Sequence, residues 1–317
     1  MKITLITLDN WGFNAYVVKE LKNQGHNVNH IDYDKFRYEY PSYWKRVTNF
    51  LSKTILRKNI KKEILHQEII KRIDTLEKQD VILMIKADYL LPKTIQEIKP
   101  KCSRFISFFN DNYKRAKNIK NVYPYFDRVF SFEKEDVQTF GFQFITNFIY
   151  RELPLKNERL NNALFNVSSY DLERLKVIEN IAYQLDLIDE DYAIFSIGKK
   201  AKAYQHNTNI NYTTTKLNLV EIEKYVEDTM ALLDVHRDNQ NGLTFRVFES
   251  LGYKKKLITT NRDIVNYDFY DSNNILVVDK NNVEIPKLFF ETPYKPVPEE
   301  IYNKYTLRHW CKTVLNA

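Results

Sequence analysis

Apolar residues fall along this chain in short unbroken blocks, separated by stretches with a three-to-four-residue rhythm. KITLITL at 2–8, VNHIDY at 28–33, VILMIK at 81–86, FISFF at 105–109 and FDRVFSF at 126–132 each predict a strand. Between them, 12–24 reads as a helix stopped by Gly25, and 57–78 carries helical periodicity. A further helix starts near Pro92, where a first turn tolerates proline, and EKEDVQTFG at 133–141 predicts a short helix ending on glycine. Apolar strands that do not alternate, separated by helices, predict a parallel sheet covered on both faces.

After IYRELPLKNERL at 149–160 the pattern restarts. Strands are expected at ALFNV (163–167), YAIFSI (192–197), NYTTT, MALLDV (230–235), a β-rich run leaving KKKLITT, and NILVV (274–278). Helices are expected at 171–185, 219–228 and across NGLTFRVFESLGY, with one long closing helix over 299–315. The predicted fold class is α/β, with two Rossmann-like doubly wound domains at 1–155 and 156–298 and a closing helical segment at 299–317. Ligands of such sheets bind outside the carboxyl ends of the strands, and two sheets facing across a cleft place the site there.

Composition narrows the class. A chain of 317 residues has room for two cores of ordinary size. Hydrophobic residues make up 44% and charged residues 28%, as in folded proteins, and only 6 glycines and 9 prolines occur, which excludes low-complexity linkers. No 20–50-residue period is present, so repeat architectures are excluded. Cys102 and Cys311 match no metal or redox spacing and fit a reducing, cytoplasmic setting. The run at 2–8 is too short for a signal sequence and is interrupted by Asp9, and no apolar stretch reaches the roughly 20 residues of a membrane span.

Charge is uneven. Net charge is +7, yet residues 35–120 alone hold 21 Lys/Arg against 9 Asp/Glu. Such asymmetry points to a phosphate, nucleic-acid or anionic-lipid partner, or to a solvated basic face. Residues 33–62 interleave Tyr, Trp and Phe with lysine and arginine, which suits the headgroup layer of an anionic membrane. The other reading is a loop packing its aromatics on the first sheet. No RNP, KH, helix-turn-helix or zinc-finger signature supports nucleic acid as the partner.

Several chemistries lack their motifs. The first strand leads into LDNWGFNAY, with a single Gly12, so the dinucleotide fingerprint is missing. No GxxxxGK[ST] or GxSxG occurs, and no HExxH spacing supports a metal site. The acidic strings DYD at 32–34 and DED at 189–191 read as solvated turn residues rather than metal ligands. No metal and no cofactor is expected.

LLDVHRDNQNGLTFRVFESLGYKKKLITTN at 232–261 resembles the donor-binding half of GT-B glycosyltransferases, in particular the bacterial group of lipopolysaccharide and capsule biosynthesis. The resemblance extends to NILVV at 274–278, to YTLRHW at 305–310 and to FDRVFSFEKEDV at 126–137. It implies transfer from a nucleotide-sugar donor to a saccharide or lipid-linked saccharide acceptor, on the cytoplasmic side and without a metal. The resemblance also implies that Glu249 holds the nucleotide ribose, and that a strand-end lysine such as Lys199 neutralises the departing diphosphate.

Physical chemistry runs parallel to the resemblance. Arg246 and Glu249 lie three apart on one helical face, and Gly242 and Thr244 stand at the expected helix mouth. A helix N-terminus favours phosphate, Arg246 adds a bidentate contact, and a carboxylate one turn deeper accepts from ribose hydroxyls. The competing reading is an intrahelical Arg246–Glu249 pair on a half-exposed face, worth a few tenths of a kcal/mol. Lys199 with Lys200 reads equally as an exposed loop pair. Lys254 to Lys256, at the helix C-terminus, are assigned a structural role. An inverting transfer needs a base, and Asp111, then Asp88 and Asp9, stand at strand ends of the first half; a retaining transfer needs none. A nucleic-acid-binding α/β protein and a small-ligand binder remain the alternatives.

Overall fold

The computed structural model describes residues 1–9, 12–36, 41–55, 59–155, 160–202, 209–237 and 240–316. The chain forms two compact units: Met1–Thr146 together with the residues from Leu307 onward, and Asn147–Thr306. The division thus falls nine residues before the expected position at 155, and only the end of the closing segment returns to the first unit.

The first unit is built on a six-stranded parallel sheet. Its strands are β1 (Lys2–Thr7), β2 (Asn27–Asp32), β3 (Gln79–Ile85), β4 (Cys102–Phe109), β5 (Arg128–Ser131) and β6 (Gln143–Phe144), in the order β2-β1-β3-β4-β5-β6. Both faces are covered, which is why the strands do not alternate. On one face Ile6, Ile82, Met84, Phe105 and Phe109 join Ile69 and Ile73 of the helix Ile60–Asp74 and Ile95 of the helix Pro92–Ile98. On the other, Phe108 meets Trp310 of the helix Leu307–Asn316, with ring centroids 5.3 Å apart. Gly141 closes the helix Lys134–Phe140 in the left-handed conformation, as its position predicts.

Residues 33–62 depart from a loop. After a short 3-10 turn at Tyr33–Lys35 they form the helix Tyr43–Ile55, and Tyr43 and Trp44 are exposed rather than packed on the sheet. Residues 37–40 and 56–58 of this segment lie outside the described residues.

The second unit repeats the plan with β7 (Asn162–Ser169), β8 (Tyr192–Ile197), β9 (Asn211–Thr213), β10 (Thr229–Asp234), β11 (Lys256–Thr259) and β12 (Ile275–Val277). The order is β12-β11-β10-β7-β8-β9, all parallel. Strand order therefore reverses between β7 and β10, which makes their carboxyl ends the topological switch point. The helix Leu172–Leu187 covers one face through Val177, Ile178, Ile181 and Leu185. The helix Phe245–Tyr253 covers the other through Val247, Phe248 and Leu251, against Phe165, Leu232 and Leu257.

The long helix expected over 299–315 is broken into Glu299–Lys304 and Leu307–Asn316. At the break Thr306 forms an extended bridge with Ile149, whose N–H donates to the Tyr305 carbonyl at 2.7 Å. The Tyr305 ring packs on Phe269 at 4.8 Å and its hydroxyl donates to Asp268 at 2.5 Å. Extended pairing and a continuous helix are incompatible at one residue, so the helix ends there.

The segment beginning at Ile149 is held close by a missing side chain. A Cβ at Gly252 would sit 2.2 Å from the Arg151 carbonyl oxygen and 2.6 Å from Ile149 Cγ2. The Gly252 carbonyl in turn accepts from the Leu153 N–H at 3.0 Å. Gly252→Ala is therefore expected to destabilise the protein by about 1–3 kcal/mol, read as a lower denaturation midpoint at unchanged m-value.

Candidate functional site

The carboxyl end of β10 is organised around one buried carboxylate. Asp234 Oδ1 accepts from Thr244 Oγ1 at 2.8 Å, and Oδ2 accepts from Thr259 Oγ1, at the end of β11, at 2.9 Å. Thr260 Oγ1 accepts from the His236 N–H at 3.0 Å, and Asn261 Nδ2 donates to the Asn241 carbonyl at 3.0 Å. Asn147 Nδ2 donates to the Leu243 carbonyl at 2.9 Å. These bonds satisfy buried polar groups and fix both ends of the loop after β10. Asp238 and Asn239 of that loop lie outside the described residues.

Thr244 is the N-cap of the helix Phe245–Tyr253, accepting from the Arg246 N–H at 3.2 Å. The helix mouth is thus at Thr244, not at Gly242, which is buried two residues earlier. The reason is the threonine hydroxyl, which caps one orphan N–H while donating to Asp234.

Three arginines converge at the switch point. Arg174 sits in the first turn of the helix after β7, Arg237 follows β10, and Arg246 lies in the first turn of the helix Phe245–Tyr253. Burial holds the Arg174 guanidinium below its ordinary value, and the positive charges of Arg237 and Arg246 push it further; Asp234 and Asp171 oppose them. Arg174 Nε is shut off from solvent with no hydrogen-bond partner among the described residues. Arg237 Nε stands 3.8 Å from Asp171 Oδ2. Three guanidiniums thus share this end of the sheet with the carboxylates of Asp171, Asp234 and Glu249.

Glu249 lies one turn deeper. Its Oε2 meets Arg246 Nη1 at 2.9 Å and its Oε1 accepts from the Tyr150 hydroxyl at 2.5 Å. The side chains of Arg246 and Glu249 are 16% and 10% exposed, so the pair is nearly buried rather than on a half-exposed face. Tyr150 also reaches the Tyr253 hydroxyl at 3.1 Å. Burial, then the Glu249 charge, drives the Tyr150 hydroxyl far above its ordinary value and pushes Tyr253 up to about 12. Tyr150 is therefore a fixed donor. Sequence reasoning missed it, as it missed Arg174 and Arg237.

Beside this group, a cleft of about 350 Å³ opens at the carboxyl ends of β10 to β12. Its walls include His236, Asn241, Thr260, Asn261 and Lys280. Lys199 stands at the end of β8, exposed, in the short helix Lys199–Lys202 instead of a loop. No contact among the described residues joins it to Arg246 or Glu249. Lys254 closes the helix in the left-handed conformation, while Lys255 and Lys256 are buried and donate to the carbonyls of Glu227 and Phe289.

In the first unit, Asp88 and Asp111 follow the adjacent strands β3 and β4. Burial raises the Asp88 carboxyl, Lys86 opposes, and Asp111 raises it further. Asp111 faces Arg115, whose Nη1 is 3.5 Å from its Oδ2. Asp9 follows β1, the strand on the other side of β3, and its Oδ2 accepts from the Asn14 N–H at 3.0 Å. A carboxylate not foreseen from the sequence, Asp136, is fully buried; its Oδ2 accepts from the Tyr113 N–H at 3.1 Å, and its Oδ1 has no partner among the described residues. Burial, with Glu133, Glu135 and Asp111 nearby, pushes it up to about 7.

No protein-family model matches the chain, and no curated protein matches it. Solved structures do. The apo form of the lipopolysaccharide outer core galactosyltransferase WaaB is similar over 100% of this chain and 99% of its own, at 12% identity and a TM-score of 0.54. The UDP-GlcNAc 2-epimerase of Methanocaldococcus jannaschii in complex with UDP-GlcNAc and UDP is similar over the whole of both chains, at 12% identity and 0.56. The UDP-GlcNAc 2-epimerase of Neisseria meningitidis bound to UDP-GlcNAc is likewise similar over both full chains, at 8% identity and 0.54. At such identities the likeness is one of fold: the chain has a GT-B glycosyltransferase-like architecture of two Rossmann-like domains.

Two outcomes follow from these groups. Tyr150→Phe leaves a buried carboxylate oxygen without its donor, so a loss of about 1–3 kcal/mol is expected, measured by denaturant unfolding. Asp136 binds a proton in the native state that the unfolded chain releases near pH 4, so it makes stability fall as pH rises from about 4 to about 7. Asp136→Asn keeps an acceptor for Tyr113 and is expected to flatten that fall, leaving the variant more stable than the parent at pH 8 in thermal melts.

Proposed function

We propose that the protein is a glycosyltransferase that takes a sugar from a nucleotide-sugar donor held by its second unit. The observation that carries this reading is the convergence of Arg174, Arg237 and Arg246 at the switch point, one helical turn from the carboxylate of Glu249. A diphosphate is the ligand that such a set of guanidinium donors fits, seated at the N-terminus of the helix Phe245–Tyr253. Ribose hydroxyls donate to the lone pairs that Glu249 retains beyond those used by Tyr150 and Arg246, and the cleft beside His236 and Asn261 receives the base. The three guanidinium charges stabilise the departing diphosphate without a metal. Lys199, exposed on the same side of the sheet, is held in reserve as a further cation for it.

The acceptor in this reading is a saccharide or lipid-linked saccharide of bacterial surface polysaccharide assembly, bound by the first unit on the cytoplasmic side. Asp111 is proposed as the base that takes the acceptor hydroxyl proton in an inverting transfer, with Asp88 as its neighbour. The resemblance at 232–261 and the likeness in fold to a galactosyltransferase support this reading. The same architecture serves UDP-sugar epimerases, so the product of the reaction separates the two activities.

The first test is thermal stabilisation by UDP, GDP, CMP and dTDP. At 100 times Kd, a ligand adds about 2.7 kcal/mol, a shift of several degrees for a unit of this size. At least one nucleotide is expected to give that shift, with tenfold or greater loss of affinity in Arg174→Gln and in Glu249→Gln. If none of the four shifts the melt, the donor site is lost. With a nucleotide sugar and an acceptor, Asp111→Asn is expected to abolish transfer while nucleotide affinity stays at the parent value; parent-like turnover removes Asp111 from the mechanism.

A further inference from the structure

The first two turns of the helix Tyr43–Ile55 turn their aromatic side chains to solvent. Tyr43 and Trp44 are each 74% exposed and Phe50 is 67% exposed, three of the most exposed large hydrophobic side chains among the described residues. Asn49, a polar residue of the same helix, is buried, and its Oδ1 accepts from the Ile60 N–H at 3.0 Å. At 100° per residue, Tyr43, Trp44, Val47 and Phe50 fall within one arc of about 120°, and Asn49 points away from it. Ordinary packing would reverse this arrangement, burying the aromatics and leaving the amide in water. The first turn is secured by Ser42, whose Oγ accepts from the Lys45 N–H at 3.3 Å.

Charge indicates what the aromatic arc meets. The helix carries Lys45, Arg46 and Lys53 and no acidic residue. Residues 33–62 hold nine Lys/Arg against two Asp/Glu, within the first half's larger excess. Arg46, exposed, borders the arc about 40° beyond Phe50, while Lys45 is exposed on the opposite side of the helix. Exposed Trp and Tyr bordered by cations match the boundary between headgroups and acyl chains, where amphipathic rings bury their apolar bodies and cations meet anionic lipid. A nucleic-acid groove would instead need successive aromatics spaced to stack successive bases along a cationic track. Here the rings of Tyr43 and Trp44 meet edge to face, with centroids 6.4 Å apart, and form one compact wedge.

We infer that the helix Tyr43–Ile55 is a docking surface for an anionic lipid bilayer, entered by Tyr43, Trp44 and Phe50, with Arg46 at the edge of the arc and the wider basic surplus of the segment drawn to the headgroups. The inference is independent of the donor site in the second unit. It also gives the basic surplus of the first half a partner, and keeps the protein at the surface where a lipid-linked acceptor is embedded.

The test is flotation of the full-length protein with vesicles of phosphatidylcholine alone or with about 30% phosphatidylglycerol. The parent protein is expected to float with the anionic vesicles and far less with the neutral ones. Each charge removed weakens surface attraction by a constant factor, so Lys45→Glu with Arg46→Glu is expected to reduce partitioning roughly tenfold or more. Trp44→Ser with Phe50→Ser is expected to do the same while leaving the melting temperature and nucleotide affinity unchanged, because these side chains are exposed. Absence of anionic-vesicle binding overturns the inference, as does parent-like binding by either double variant. Tighter binding to single-stranded RNA than to vesicles, lost in the same variants, overturns it in favour of a nucleic-acid face.

Discussion

The carboxylate of Glu249, nearly buried and gripped from two sides, is the interaction on which the second unit's site depends. Arg246 neutralises one oxygen and the Tyr150 hydroxyl donates to the other. A charge in that position is tolerable only while both partners are present, since an uncompensated buried ion costs several kcal/mol. Tyr150 reaches it because Gly252 has no side chain to hold the 149–153 segment off the helix. One absent methyl group thus sets the geometry of a carboxylate three residues away. Conversely, any ligand that reaches Glu249 meets an oriented acceptor whose lone pairs are already partly assigned.

The same residues show how a parallel sheet gathers polar side chains at its reversal point. β7 and β10 carry chain away in opposite directions along the sheet, so the loops that follow them diverge and leave room at their carboxyl ends. Asp234 closes the bottom of that space by tying Thr244 and Thr259 together. Arg174 and Arg246 come in from helices that start on either side of it. Their mutual repulsion, felt by the half-buried Arg174, is a cost that an anion bound there would offset. Lys256 shows the opposite solution in the same unit. It is more completely buried, yet its ammonium donates to the Phe289 carbonyl and the Thr292 hydroxyl, so its charge serves packing.

Much of this architecture is legible in the amino-acid order. The apolar blocks at 2–8, 81–86, 105–109 and 192–197 lie in parallel strands because a strand covered on both faces has no polar side to display. Arg246 and Glu249 are legible as a pair through their spacing alone. Other features hide for identifiable reasons. Tyr150 lies outside any helix or strand and is 99 residues from Glu249, so no local periodicity points to it. Arg174 sits in an amphipathic helix whose pattern explains it without a ligand. The break at Tyr305 is invisible because both flanks form helix, and a single bridge to Ile149 interrupts them. The helix Tyr43–Ile55 reads as a loop for a different reason: its apolar arc faces outward, against the rule by which periodicity is normally interpreted.

The central claim is that a nucleoside diphosphate is held between the arginine cluster and Glu249. A crystal structure of the protein with its tightest-binding nucleoside diphosphate tests it most directly. The account predicts diphosphate density at the N-terminus of the helix Phe245–Tyr253 within hydrogen-bonding reach of Arg174 or Arg246, and ribose hydroxyls donating to Glu249. A nucleotide bound at full occupancy elsewhere, with the Glu249 carboxylate untouched, would contradict it.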